Sequence, residues 1–180
     1  SRWPTPHALF LQLKEQHPQN PIILANLAWI EAHDQRPKAA WEIYQQALSC
    51  LCAPHFSPLQ WDGMEDFLLP FGAQAMYLHW QRLQFQWGNQ PEKLADAFRQ
   101  LLLWHLLLLG AELALYSGQA DYAMQAYENA AALFPELNFT KALKAELTLQ
   151  MGKYNEAIDL FSAYLQEDAL NHRVWLGLFT

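Results

Sequence analysis

The chain repeats one pattern of small and aromatic residues at an interval of 34 positions. Ala157 follows Ala123 at this interval, and Phe161 follows Tyr127 at the same interval. The same Ala-x-x-x-aromatic pattern occurs upstream, beginning at Ala40. A fixed period of this length indicates stacked supersecondary units, none of which can bury its apolar face alone. The repeat therefore predicts an array of similar units.

Turn signals between these patterns predict that each unit consists of two helices. Glycine contributes only 7 of the 180 residues, and no run alternates with the period of a strand. Proline is well placed as the first residue of a helix, and glycine as the residue that follows one. The predicted helices are 6–16, 21–33, 37–51, 72–87, 91–103 and one that runs from near Asp121 to Pro135.

The charge balance argues against nucleic acids and membranes as partners. The net charge is −7 and the pI is about 5.4, with no run of lysine or arginine that could follow a phosphate backbone. The apolar run 101–111 is shorter than the roughly 20 residues that span a bilayer, so we expect a helix buried on several sides. Two cysteines and no evident targeting segment predict a reducing, cytoplasmic location.

No motif for catalysis, metal binding or cofactor binding is found. The seven histidines are scattered, and Cys50, Cys52 and His55 form the one cluster that resembles a ligand set. A closed zinc site needs four ligands, and no second cluster completes this one. We therefore predict no catalytic residue, metal or cofactor; a self-contained enzyme built on these three residues is a minor alternative.

The repeated units resemble the tetratricopeptide repeat, over about 120 of the 180 residues. The pattern of that family is a glycine at the turn, Ala-x-x-x-Phe-x-x-Ala in the second helix, and a proline at the end. Two departures are Glu31 at an aromatic position and Lys144 at an apolar one. The matching residues are Leu24, Leu27, Ala28, Ala40, Tyr44, Ala47, Gly118, Tyr122, Ala123, Tyr127, Ala130, Pro135, Gly152, Tyr154, Ala157 and Phe161.

This resemblance implies an all-α fold, a right-handed α-solenoid formed by residues 1–180. The interval from Ala40 to Ala123 is not a multiple of the repeat period, so we expect one degenerate unit and an insertion between them. The insertion packs on an outer face or fills the groove; the sequence leaves both open. The predicted segments are a half repeat (5–19), a repeat (20–54), the insertion (55–71), a degenerate repeat (72–103), two repeats (104–137 and 138–171) and a truncated repeat (172–180).

In the family, the first helices line a concave groove that binds partners. The positions carried across are apolar and aromatic with acidic residues among them, which suits an amphipathic helix or an apolar segment with a basic flank. The predicted groove residues are Asn26, Trp29, His33, His79, Leu83, Trp87, His105, Glu112 and Glu146.

The resemblance implies a non-catalytic scaffold that binds a protein or peptide. The alternative is the recruiting arm of a larger enzyme, such as an O-linked glycosyltransferase or a methyltransferase, because both ends of the chain fall inside a repeat. Uncapped end units expose apolar surface, so we also expect weak dimerisation.

Overall fold

The computed structural model describes residues 5–53, 81–135 and 138–167, with only the backbone for 138–140 and 167. In these ranges the chain is helix and turn throughout, with no strand. The all-α class is therefore confirmed, and α1, α2 and α3 have the predicted bounds. Residues 81–87 are also helical. The seven helices bounded within these ranges are α1 (Pro6–Gln16), α2 (Pro21–His33), α3 (Pro37–Leu51), α4 (Pro91–Tyr116), α5 (Ala120–Leu133), α6 (Asn138–Gln150) and α7 (Tyr154–Glu167).

Local sequence explains where these helices begin. Proline cannot donate a backbone hydrogen bond, which costs nothing in the first turn of a helix, where that donor has no partner. At α2 the side chain of Asn20 also accepts hydrogen bonds from the backbone amides of Ile22 and Ile23, at 2.9 and 3.3 Å. The four helices that begin with proline start at Pro6, Pro21, Pro37 and Pro91.

Three of the turns between helices share one geometry. The second residue after the helix has a positive φ: 59° at Gln35, 71° at Gly118 and 75° at Gly152. In each turn the next backbone amide donates to the carbonyl five residues earlier, over 2.8 to 3.1 Å. This closure satisfies carbonyl groups that the helix end would leave unpaired. The two glycine turns lie at the interval of the sequence repeat.

The short turns pair α2 with α3, α4 with α5, and α6 with α7. Each pair then contacts the next along the chain: α2 and α3 both touch α4, α4 and α5 both touch α6, and α1 packs on α2. The first helices α2, α4 and α6 therefore lie in one row of successive contacts.

The helix α4 extends beyond the predicted helix 91–103 and crosses the predicted unit boundary between residues 103 and 104. It runs without a break from Pro91 to Tyr116, for 26 residues or about 39 Å. No glycine or proline occurs between Pro91 and Gly110, and the leucine-rich run 101–111 is largely buried. A continuous helix satisfies every backbone group within this buried run, so no local signal ends it.

The pair α2–α3 packs directly on the pair α4–α5. A side chain on Gly110 of α4 would overlap the ring of Tyr44 of α3. Next to this contact the ring of Trp41 lies 5.3 Å, centroid to centroid, from the rings of both Tyr44 and Tyr122. Residues of the predicted repeats 20–54 and 104–137 are thus in direct contact. The insertion 55–71 and the truncated repeat 172–180 lie outside the described residues.

Among the described helices, α4 alone is long and apolar enough to cross a membrane, with a mean hydropathy of 1.4. Yet 67% of that apolar stretch is buried inside the protein. Its leucines pack against α2, α3, α5 and α6. In this structure α4 is therefore a central core helix, as expected for the run 101–111.

Candidate partner-binding cleft

A cleft of about 120 Å³ lies between α4 and α6. Glu112 and Glu146 both line it, one from each helix, and neither lysine nor arginine is among the described residues that line it. The two glutamates are separated by the repeat interval, so they are equivalent positions of the sequence repeat. The residues that line the cleft are Leu108, Glu112, Leu115, Leu143, Glu146, Leu147 and Gln150.

The cleft combines an apolar floor with a charged rim. Leu108, Leu143 and Leu147 are buried, whereas Glu112 and Glu146 are half-buried and Gln150 is exposed. Two carboxylates close to an apolar surface are partly desolvated, which strengthens their attraction for a cation. The cleft is therefore suited to a ligand with an apolar part and a positive charge.

The exposed Tyr116 lies one helical turn beyond Glu112. Partial burial, and then the nearby negative charge of Glu112, raise the pKa of the Tyr116 phenol. The contribution of Glu112 means that the Tyr116 phenol lies close enough to interact electrostatically with the Glu112 carboxylate. An aromatic ring beside a carboxylate adds a surface on which a cation can also be held.

The volume of the cleft matches that of one side chain. A cavity of roughly 150 Å³ lined by aliphatic residues can hold benzene, so about 120 Å³ accommodates a single aromatic ring or the stem of a long basic side chain. The polar side chains of the cleft are two carboxylates and the amide of Gln150, and its described lining includes no histidine, cysteine or serine. A lining of leucines, two carboxylates and one amide suits the binding of a ligand.

Three of the predicted groove residues are buried, which corrects their assignment as contact residues. Asn26, Leu83 and His105 are 6%, 8% and 3% exposed. The Asn26 side-chain amide donates to the carbonyl of Ile22 over 2.9 Å, within its own helix. The physical reason is that α2 and α4 pack side by side, so part of the face predicted to line a groove is covered by neighbouring helices.

Two other predicted residues form a separate surface at the end of α2. Trp29 is half-buried and His33 is exposed. Their ring centroids are 3.8 Å apart, and Nδ1 of His33 lies 2.9 Å from the carbonyl oxygen of Trp29. Trp87 is half-buried, with Nζ of Lys93 4.7 Å from the centroid of its ring. His79 lies outside the described residues.

His105 occupies a crevice between α2 and α4 that is too small for a substrate. The crevice measures about 10 Å³ and is lined by Asn26, Leu102, Leu106 and the first residues of α2. Complete burial lowers the pKa of the His105 imidazole from its usual 6.5 to about 4. The side chain is therefore neutral near pH 7 and belongs to the core.

A polar cluster joins α1 to the turn between α2 and α3. Glu31 is buried; its carboxylate lies 2.7 Å from Nε2 of His7 and pairs with the guanidinium of Arg36. Arg36 also donates to Asp34 over 2.9 Å. This cluster accounts for the glutamate at position 31, where the resemblance predicted an aromatic residue. The signal was present in the sequence, because a glutamate at a core position requires a cationic partner.

No metal site is present in the described part of the chain, where no three His, Cys, Asp or Glu side chains come together. Cys50 is half-buried and Cys52 is exposed, and both are free thiols. Partial burial raises the pKa of the Cys50 thiol, which makes it a poorer nucleophile near neutral pH. His55, the third residue of the predicted cluster, lies outside the described residues.

The sequence reasoning missed Leu143, Leu147 and Gln150 as lining residues of the cleft. Leu143 and Gln150 lie three positions before and four positions after Glu146, and Leu147 follows it directly. The spacings of three and four were a usable signal, since such residues share a helix face.

No protein-family model matches the chain, and no curated protein matches it either.

Proposed function

We propose that this chain is a non-catalytic protein-interaction module, a right-handed α-solenoid of tetratricopeptide-like units. Its ligand is a segment of another protein that forms an amphipathic helix. The segment places an apolar or aromatic side chain in the cleft between α4 and α6, and a lysine or arginine against Glu112 and Glu146.

The single observation that carries this proposal is the position of Glu112 and Glu146 in one cleft, beside the leucines that line it. Equivalent positions of the sequence repeat converge there, as they do when first helices line a common surface. The cleft residues come from α4 and α6, two members of the row formed by α2, α4 and α6. This arrangement favours an elongated partner that lies across several helices.

Electrostatics supports a basic partner. The chain has a net charge of −7, and two carboxylates line the cleft. Complementary charges accelerate association and reject partners of the same sign. The apolar floor supplies the affinity, because a single side chain buried in a central pocket often dominates an interface. Binding should therefore weaken as salt is added, without vanishing.

The proposal is tested by selecting helical peptides from a random library against the chain and measuring their affinity by calorimetry. We expect the selected peptides to share a basic residue one turn from an apolar anchor. Glu112→Gln/Glu146→Gln should weaken their binding by roughly tenfold or more, because each charge pair at a partly desolvated site contributes about 1 kcal/mol or more.

The matched control removes two carboxylates from a surface away from the cleft. Asp121→Asn/Glu128→Gln changes the net charge by the same amount, and both residues are exposed on α5. This variant should bind the selected peptides like the wild type. An equal loss of peptide affinity in both variants would mean that only the overall charge of the chain attracts the peptides. The cleft would then not be the binding site.

A further inference from the structure

The helical segment 81–87 exposes a large apolar side chain that no described part of the chain covers. Phe85 is 94% exposed, whereas Leu83 of the same segment is buried. A single turn, 88–90, joins this segment to α4, whose residues 91–93 are also exposed. We call residues 81–93 the arm. Burial of a phenylalanine side chain contributes about 1.5–3 kcal/mol, so a partner that covered Phe85 would gain that contribution.

The exposed face of the arm also carries a positive charge. Arg82 precedes Phe85 by three positions, so the two side chains lie on the same face of the helix, and Arg82 is exposed. The arm contains two basic residues (Arg82, Lys93) and one acidic residue (Glu92), a net charge of +1. The whole chain carries −7. The arm therefore combines an aromatic anchor with a basic residue one turn away.

We infer that the chain self-associates by placing Phe85 of one copy in the cleft between α4 and α6 of a second copy, with Arg82 at the rim of that cleft. The inference rests on the cleft of the proposed function, and it names a specific occupant for it. The phenyl ring would lie against Leu115, Leu143 and Leu147, in a volume of about 120 Å³. The guanidinium would then face Glu112 and Glu146.

The positions of arm and cleft on α4 fit a symmetric pair. The arm adjoins the first turn of α4, and the cleft lies on its last turns, so Lys93 and Glu112 are separated by about 28 Å along the helix. Two copies whose α4 helices run antiparallel bring each arm to the cleft of the other. In such a two-fold dimer each arm occupies the cleft of the other copy, so no arm and no cleft is left to bind a third copy.

The expected association is weak, because each contact involves few side chains and a stable interface usually buries roughly 1,200–2,000 Å². Sedimentation equilibrium over a wide concentration range should show the wild type moving from monomer towards dimer mass. Phe85→Ser should remain monomeric at every concentration, and so should Glu112→Gln/Glu146→Gln. Neither change disturbs the core, since Phe85 is exposed and glutamine keeps the shape of glutamate.

The control removes a different exposed aromatic residue. Tyr154 of α7 is 66% exposed and does not line the cleft, so Tyr154→Ser should dimerise like the wild type. Mixing the two monomeric variants provides a second test. Phe85→Ser keeps an intact cleft and Glu112→Gln/Glu146→Gln keeps an intact arm, so the mixture should form a heterodimer through one contact.

The inference is overturned if the wild type stays monomeric at every concentration. It is also overturned if Tyr154→Ser loses dimerisation as fully as Phe85→Ser, or if the mixture stays monomeric while the wild type dimerises. The proposed function is judged separately, by titrating the selected helical peptides into monomeric Phe85→Ser. Peptide binding to that variant, together with a monomeric wild type, would retain the cleft and reject the second copy as its occupant.

Discussion

At the scale of single residues, His105 shows most clearly how burial changes chemistry. A histidine on an apolar helix could be read as a groove residue, but the structure places it between α2 and α4 at 3% exposure. Its pKa is lowered to about 4 by desolvation, because the charged form loses its hydration there. The sequence predicts the face of the helix on which His105 lies, but not which neighbouring helix covers that face.

This burial predicts a loss of stability in acid. The unfolded chain binds a proton at His105 near pH 6.5, while the folded chain does so only near pH 4. The stabilisation is therefore fully present above pH 6.5 and is lost as the pH falls towards 4, by about 2 kcal/mol between pH 7 and 5. Urea unfolding of the wild type and of His105→Leu measures it. The variant should lack this part of the pH dependence; identical slopes would show that His105 does not titrate as a buried group.

At the scale of secondary-structure elements, local signals and the repeat gave conflicting predictions at α4. Proline correctly predicts where α2 and α4 begin, because its chemistry acts within one turn. The break at 103/104 came instead from fitting a unit of the repeat period into the middle of the chain. No helix-ending residue supports that break. The repeat interval and the local residues disagree here. A buried apolar run that contains no glycine or proline favours a continuous helix.

The crossing of α3 and α4 at Gly110 predicts a sharp effect of one added methyl group. In Gly110→Ala the new Cβ would overlap the ring of Tyr44, so helix packing must shift. We expect a loss of roughly 1–3 kcal/mol, although alanine is the better helix former. Chemical denaturation of Gly110→Ala, Tyr44→Leu and the double variant forms a cycle. The two changes should be strongly non-additive, with the smaller side chain at 44 relieving the clash; additive losses would exclude this contact as the cause.

At the scale of the whole molecule, the repeat predicts which positions come together better than it predicts which are exposed. The repeat interval relates Glu112 to Glu146, and the structure brings both into one cleft. The same logic assigned Asn26, Leu83 and His105 to the groove, and these are buried. The repeat interval and the geometry of a helix specify the helix face on which a residue lies and the helices that are adjacent to it. Exposure also depends on the segments that pack over a face, and that information is spread over the whole chain.

The apolar core suggests that the last helix pair can unfold by itself. Ala157, Phe161 and Tyr164 belong to a small cluster formed within α6 and α7, whereas Ala123 belongs to the large cluster, which joins the other helices and reaches α6 only through Leu143 and Leu147. Both alanines are completely buried, so replacement by leucine should overpack either site by roughly 1–3 kcal/mol. Because each of these helix pairs contacts mainly its neighbours along the chain, such damage should act first on its own pair.

We therefore expect Ala157→Leu to reduce amide hydrogen-exchange protection mainly in α6 and α7, while α2 to α5 stay near the wild-type level. Ala123→Leu should reduce protection in α4 and α5 and, through their contacts, in the units on either side. Exchange followed by mass spectrometry resolves these segments. Equal loss along the whole chain in Ala157→Leu would mean that the helix pairs unfold as one cooperative body, because the contacts of α6 with α4 and α5 would then outweigh the independence of its small cluster.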